Sequence, residues 1–510
     1  MIISLSVLVI TIIVSGTYAL YKAQLSKNIG VNTTTHGLAY YINYVKGTDI
    51  TAATLNPSTS YEGGASSDIE FWKKDDSYDI YGKIELTVNT IGTNLSNSPA
   101  LKYAVVNNGN VLKEGSLKGT TSGSKVTILK NLYLEQTKQI YTVYVWLDNS
   151  EELGNISNES LSISVDCTAS LQKEPTAADT IISLYTSAAK VTATNNSITY
   201  NTAPSVSLMN DRLGGTTTDL DDGNIRYYGA NPNNYIYFNC SDYSNQTSST
   251  CETWRIIGVF DGKLKLIKGS QIGTYSWDNK NISTGAEDDR GKNDWTTARL
   301  MKLLNPDDYY INDNNDKDSE GNYLGYSLYY NSASGMCFTD EGVNYSACDF
   351  TSTGIKNDET RNMIAETTYN LGGWNDTGVY PNEIYEYERG TTVYTGRPTT
   401  WTGKIALAYP SDYGYAADLN QCKQTLANYD NSTCTSNNWM KAIITDNGSN
   451  HGWLLTPDSS YSYVAWYSQG NVGEYFTGAA RGAVPVLSLS SKLGIESGDG
   501  SSSNPYKLSA

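Results

Sequence analysis

Histidine is nearly missing from this chain, with only His36 and His451 among 510 residues. A His-built zinc site or a Ser/His/Asp triad would have to be assembled around one of those two, which leaves little room for either chemistry. Phenylalanine is scarce as well, at 6 residues against 41 tyrosines, and Asn, Ser, Thr and Gly fill much of the rest. That mixture favours β-structure with long polar loops over helical bundles. Basic residues are outnumbered, 36 Lys plus Arg against 53 Asp plus Glu, for a formal charge of -17. Such a balance repels phosphate backbones and anionic headgroups, so nucleic acid is not an expected partner, and a membrane is expected only through the N-terminal segment.

Length adds a second boundary. Single cores stop growing at roughly 250 to 300 residues, so a chain of 510 should form two or more domains. Residues 2–15 form a short apolar run followed by Thr17-Tyr18-Ala19, with a small residue at the cleavage position. Residues 1–19 therefore read as a secretory signal peptide, or as an N-terminal anchor if cleavage fails, although a basic n-region is missing. The expected location is extracellular or at the cell surface.

Export makes the cysteines intelligible. Cys240 and Cys251, Cys337 and Cys348, and Cys422 and Cys434 form three close pairs, while Cys167 stands alone. Neither a CxxC spacing nor a Cys/His cluster is present, so metal ligation has little support. Three local disulfides are the leading reading, each stapling a polar loop and worth roughly 3 kcal/mol in the loop-closure model. Free thiols in a reducing compartment are the alternative.

From residue 20 to 170 the pattern is alternation broken by Gly, Asn and Pro. Ile140, Thr142, Tyr144 and Trp146 fall on one strand face, Tyr141, Val143, Val145 and Leu147 on the other, and Asn107-Asn108-Gly109 marks a hairpin. Several such strands at short spacing predict a β-sandwich. The segments "SGTYALYKAQLSKN" and "YTVYVWLDNSEELGNISNESLSISVDCTAS" resemble the camelysin-type biofilm-matrix fibre proteins of Gram-positive bacteria. The resemblance implies a sandwich serving surface or matrix structure, with no catalytic residues. Residues 171–219 read as a connector, in which Pro175 and Thr176 precede a short helix with Ile181, Ile182, Leu184 and Tyr185 as its apolar positions.

Residues 220–510 form the second domain. Asp261-Gly262 joins two strands into a hairpin. "DWTTARLMKLLNP" predicts a helix from Asp294 to Asn305, and "NDETRNMIAETTYNLGG" a second, capped by Asp358 and ended at Gly372. "RYYGANPNNYIYFN", "TWRIIGVF", "WLLTP" and "GAVPVLSLSSKLGIESGDGSSSNPYKL" are similar to an uncharacterised surface-protein domain of low-GC gut bacteria. The closing pattern also resembles the C-type-lectin-like and sulfatase-modifying-factor folds. Here Gly482-Ala483-Val484-Pro485-Val486 departs from it, because Val484 stands where the pattern carries Arg; Arg481 lies three residues earlier. The expected fold is thus mainly β with an α+β C-terminal domain: an N-terminal β-sandwich followed by a loop-rich, C-type-lectin-like domain.

Two stretches carry candidate sites. Asp316, Asp318 and Glu320 alternate before Gly321 like the first half of a calcium loop, but Ser327 occupies the position of the bidentate Glu. The readings are a solvated acidic insertion, taken first, or a weak calcium site; no other cofactor is expected. In residues 453–489, Trp453, Trp466 and the strand Val484–Leu489 read as core. Tyr461, Tyr463, Tyr467, Tyr475 and Phe476 sit among Ser and Gly and read as ligand contacts, since Tyr covers a large area at low entropy cost and keeps a polar handle. The favoured function is a non-catalytic adhesion or binding protein for a glycan or protein ligand on another surface. The alternatives are a matrix or filament subunit that self-associates through the sandwich, and an enzyme of the sulfatase-modifying-factor type.

Overall fold

A computed structural model describes residues 23–24, 41–52, 55–156, 158–212, 223–278, 290–306, 328–331, 333–340, 344–445 and 451–509. The chain divides into two compact units, Met1–Glu174 and Pro175–Ala510. The expected signal segment, residues 1–19, lies outside the described residues, as do Asp316, Asp318 and Glu320. Among the described residues no helix is long and apolar enough to cross a membrane.

The first unit is a β-sandwich. One sheet orders Ala23–Gln24, Leu161–Ser170, Tyr81–Ile91 and Lys125–Tyr133; the other orders Ile42–Val45, Ala65–Lys73, Ile140–Asp148, Leu101–Asn107 and Asn110–Ser116. Strand Ile140–Asp148 shows why the two sheets face one another. Its Tyr141, Val143, Val145 and Leu147 are buried in the core, together with Ile69, Phe71, Leu86, Val88 and Ile163 from the neighbouring strands. On the opposite face Thr142 and Tyr144 are half-buried and Ile140 is exposed. Along this strand the period-two pattern places one stripe inside, although Trp146 on the outer face is buried as well. The Asn108-Gly109 turn closes the predicted hairpin with both residues at positive φ, 50° and 77°, the conformation a two-residue turn requires. Cys167 is a free, buried thiol in this core, and burial pushes its pKa up.

The second unit is built on a nine-stranded sheet with strand order Val191–Asn195, Ile198–Ala203, Leu208–Asn210, Ile225–Tyr227, Glu252–Phe260, Lys263–Lys268, Val486–Ser488 and Ile405–Ala406; Tyr235–Phe238 adds to Glu252–Phe260. Residues 171–219 thus supply more than a connector. The helix Ala177–Ser187 forms where expected, held at its start by a capping box between Thr176 and Asp179, and buries Ile181 and Tyr185. Three strands that follow it join the sheet, each pairing antiparallel with the next and the last with Ile225–Tyr227; the Thr/Asn-rich composition of the first two hid that β-pattern.

Both predicted later helices are shorter than expected. The first runs only Arg299–Leu304, because Asp294 accepts from the N–H of Thr296 in a local turn rather than capping a helix. Its expected apolar positions Trp295, Leu300, Leu303 and Leu304 are nonetheless buried. The second runs Asp358–Met363; Asn357, not Asp358, caps it by accepting from Thr360 N. It stops well before Gly372, because Thr367–Asn370 pairs as a strand with Thr400–Gly403. β-branched Thr367 and Thr368 favour that strand over another helical turn.

Among the described residues two disulfides are present, Cys240–Cys251 and Cys422–Cys434. Cys337 and Cys348 fall on a two-stranded ribbon, Ala333–Asp340 with Asn344–Asp349, whose side chains lie outside the described part of the structure.

A candidate aromatic binding edge

A second sheet of this unit orders Thr274–Ser276, Ala480–Gly482, Gly452–Pro457, Val464–Ser468 and Val472–Phe476. Its inner residues are core: Trp453 and Trp466 are fully buried, as are Val484, Val486 and Leu487 in the following segment. Each indole N–H is satisfied, Trp453 Nε1 donating to Tyr275 O at 2.9 Å and Trp466 Nε1 to Trp374 O at 3.2 Å. The expected inward set is therefore a sealed wall beneath the outer tyrosines.

The outer residues meet. Tyr461 and Tyr463 have ring centroids 6.0 Å apart, Tyr463 and Phe476 5.6 Å, Phe476 and Tyr475 5.0 Å, and Tyr475 and Tyr467 6.5 Å. The five residues singled out from sequence thus form one unbroken row of ring contacts, and Tyr461, Tyr475 and Phe476 are exposed at 53%, 40% and 39%. Strand pairing explains the row. Tyr475 stands opposite Ala465 and Tyr467 opposite Gly473, so each large ring faces a small partner and can lie across it. The last strand is the sheet edge, which leaves adjacent residues Tyr475 and Phe476 both reaching solvent.

The loop carrying Tyr461 is pinned from below. Buried Asn293 donates through Nδ2 to Asp458 O at 2.8 Å and Tyr461 O at 2.7 Å, while Asp458 Oδ1 accepts from the N–H groups of Ser460 and Tyr461. Arg397 in turn donates to Asn293 Oδ1 and to Ser462 O. These contacts fix backbone that would otherwise be a mobile Ser/Tyr turn.

Sequence reasoning missed the charges around the rings. Arg290 lies over Tyr463 and Phe476, its guanidinium carbon 4.7 and 5.2 Å from the centroids. Arg481 lies over Tyr467 and Tyr475 at 4.0 and 4.4 Å. Arg481, three residues before Val484 in the sequence, packs against the tyrosines as a cation on their π-faces. An acidic group sits nearby: partial desolvation and the charges of Asp458 and Asp376 push the Glu474 carboxyl above its ordinary value.

A second buried feature lies away from this edge. Arg226 donates to Asp211 at 2.5 Å and to Asp412 at 2.9 Å, and Lys265 also pairs with Asp412, all in the interior. Glu388, fully buried at the end of the helix Pro381–Glu388, accepts from Ser411 N and Oγ and from Arg389. Among the described residues no group of three or more His, Cys, Asp or Glu is arranged to hold a metal ion. The four cysteines of the two disulfides are oxidised and bear no thiolate.

No protein-family model matches the chain, and no curated protein matches it. Solved structures that it resembles include crystal structures of two mutants of HCR/D, at 11% identity, covering 51% of this chain and 76% and 75% of theirs. Their TM-score of 0.15 is too low to carry an argument about fold or function, so the reading of this molecule rests on its own geometry.

Proposed function

We propose that the chain is a secreted or cell-surface binding protein whose C-terminal unit grips a glycan or protein ligand through the ring row Tyr461, Tyr463, Phe476, Tyr475 and Tyr467. The observation that carries this reading is the continuity of the row: five aromatics on an edge strand, its neighbour and the turn that leads into that neighbour, three of them exposed, backed by two guanidinium groups. Exposed aromatics with polar tips suit stacking on sugar rings and the hot spots of protein contacts alike. Two disulfides support an oxidising, extracellular setting. The test is a glycan array and a panel of immobilised surface proteins probed with wild type, Tyr461→Ala and Tyr475→Ala. Binding that is lost in the variants while the fold survives supports the reading; blank arrays and panels for wild type would sink it.

A filament or matrix role for the sandwich has one observation in its favour. The edge strand Asn110–Ser116 leaves Val111 and Leu112 exposed at 43% and 38%, an edge that invites pairing with another copy. Electron microscopy of the purified chain would show fibres under this reading, and a strictly monomeric protein at high concentration would rule it out.

A further inference from the structure

On the nine-stranded sheet, away from the ring row in sequence, a cavity of about 610 Å³ is lined by Tyr235, Thr253, Arg255, Lys268, Ser270 and Thr353 among others. Arg255 is 7% exposed. Its Nε donates to Asn234 Oδ1 and its Nη2 to Pro232 O, and its guanidinium lies 3.7 Å from the Tyr235 centroid and 4.9 Å from that of Trp439. These contacts hold the group flat and fixed. They do not neutralise it: no described carboxylate forms an ion pair with Arg255, and burial lowers its pKa to about 10, offset only by Tyr235.

The neighbouring Lys268 is paired with Glu252, whose carboxylate also accepts from Trp254 Nε1, so the single acid of the wall is already engaged. Burial lowers the Lys268 pKa, against the raising effect of its Glu252 partner, and Lys356 adds a further small lowering. A buried, oriented and uncompensated cation is costly in a finished interior. In a protein of net charge -17 a pocket with positive charge in excess is also against the background.

We infer that this cavity is a second binding site, for a small carboxylate-bearing polyol of the sugar-acid class. Arg255 meets the carboxylate, because a planar guanidinium pre-set by stacking matches a planar carboxylate at little entropic cost. The hydroxyls of Thr253, Ser270 and Thr353 supply donors and acceptors suited to the remaining hydroxyl groups. Tyr235 offers the flat wall.

The site is distinct from the ring row, so its failure and that of the adhesion reading are separable. The experiment is calorimetric titration of the full chain with sodium glucuronate, glucose, acetate and sulfate at constant ionic strength. Glucuronate should bind, glucose should not, and Arg255→Gln should weaken glucuronate binding by about tenfold or more. Ser270→Trp, which fills the cavity from its exposed rim without touching the Arg255 contacts, should abolish binding and keeps the test valid if Arg255→Gln does not fold. Tyr475→Ala should leave it unchanged. Equal binding of glucose, sulfate binding as tightly as glucuronate, or a Ser270→Trp variant that binds like wild type would each overturn the proposal.

Discussion

The guanidinium of Arg481 lies 4.0 Å from the ring centroid of Tyr467, and this contact joins the buried wall of the second unit to its exposed rings. Arg481 is itself buried, its Nε has no hydrogen-bond partner, and burial lowers its pKa. The π-faces of Tyr467 and Tyr475, with Trp453 at 5.6 Å, are what compensate it. The rings are thus held from behind as well as along the strand.

Truncating that support should be felt twice. Arg481→Ala removes both cation–π contacts and the packing of the alkyl stem, with an expected loss of about 2 kcal/mol of stability. It should also weaken any ligand bound at the ring row, since Tyr467 and Tyr475 lose their backing. Arg481→Lys keeps the charge without the flat face and should fall between the two. Urea unfolding alongside the binding assay checks the pair; a variant as stable as wild type would show that the stacking contributes nothing.

Buried and exposed aromatics of the same stretch should behave oppositely. Trp466→Ala empties a fully buried site and should cost roughly 3 to 5 kcal/mol, whereas Tyr461→Ala, 53% exposed, should stay within about 1 kcal/mol of wild type. Thermal denaturation of both variants separates them, and a large loss for Tyr461→Ala would reassign it to the core.

Much of this contrast was legible in the sequence. Tyr461, Tyr463 and Tyr467 alternate with buried Ser462, Val464 and Trp466, so a period of two separated the outer rings from the core. The Asp261-Gly262 hairpin was legible for the same local reason, with φ of 49° and 70° at its two turn residues. What could not be read was anything set by distant pairing. Arg481 meets Tyr467 across the intervening strand Gly452–Pro457, and Arg226 meets Asp412 at a sequence separation of 186, so no local pattern foretells either contact. Arg255 went unnoticed within "TWRIIGVF" because alternation marks it only as one more strand residue; its missing counter-charge is a property of the fold.

Glu388 makes stability depend on pH. Burial raises its carboxyl pKa from the ordinary 4.5 to about 7, against the lowering effects of Arg389 and Ser411. Between these values the folded state keeps a proton that the unfolded state releases. Its contribution therefore declines as pH rises from about 4.5 to 7 and is flat above, a change on the order of 3 kcal/mol. Eight of the ten tryptophans lie in this unit, so tryptophan fluorescence during urea unfolding at pH 5, 6, 7 and 8 reports it. Glu388→Gln should flatten the profile; an unchanged slope would assign the dependence elsewhere.

The Cys422–Cys434 bridge closes a short loop with both cysteines fully buried. Asn195 Nδ2 donates to Cys422 O at 2.7 Å and to Leu419 O at 3.2 Å, tying the loop to the edge strand of the large sheet. Replacing both cysteines by alanine should cost about 3 kcal/mol by the loop-closure estimate. Thiol labelling gives a second check: the native protein in reductant should resist labelling at these positions until urea opens the unit. Rapid reduction without denaturant would contradict the burial.

Gly473 offers a way to move one ring without touching the core. A Cβ built there would lie 3.0 Å from Cζ and Oη of Tyr467, closer than a settled contact allows. The obstacle is the far end of a flexible side chain, so Gly473→Val should fold: valine suits an edge strand, and Tyr467 can swing aside at a cost of about 1 kcal/mol. The displaced ring then leaves both the Arg481 face and the Tyr475 contact, removing the Tyr467 end of the row while Tyr461, Tyr463, Phe476 and Tyr475 stay in place. If the row binds as a unit, Gly473→Val should weaken the ligand about as much as Tyr467→Ala does. If it binds through Tyr461, Tyr463 and Phe476 alone, the valine variant should bind like wild type, and the contact surface shrinks to that end.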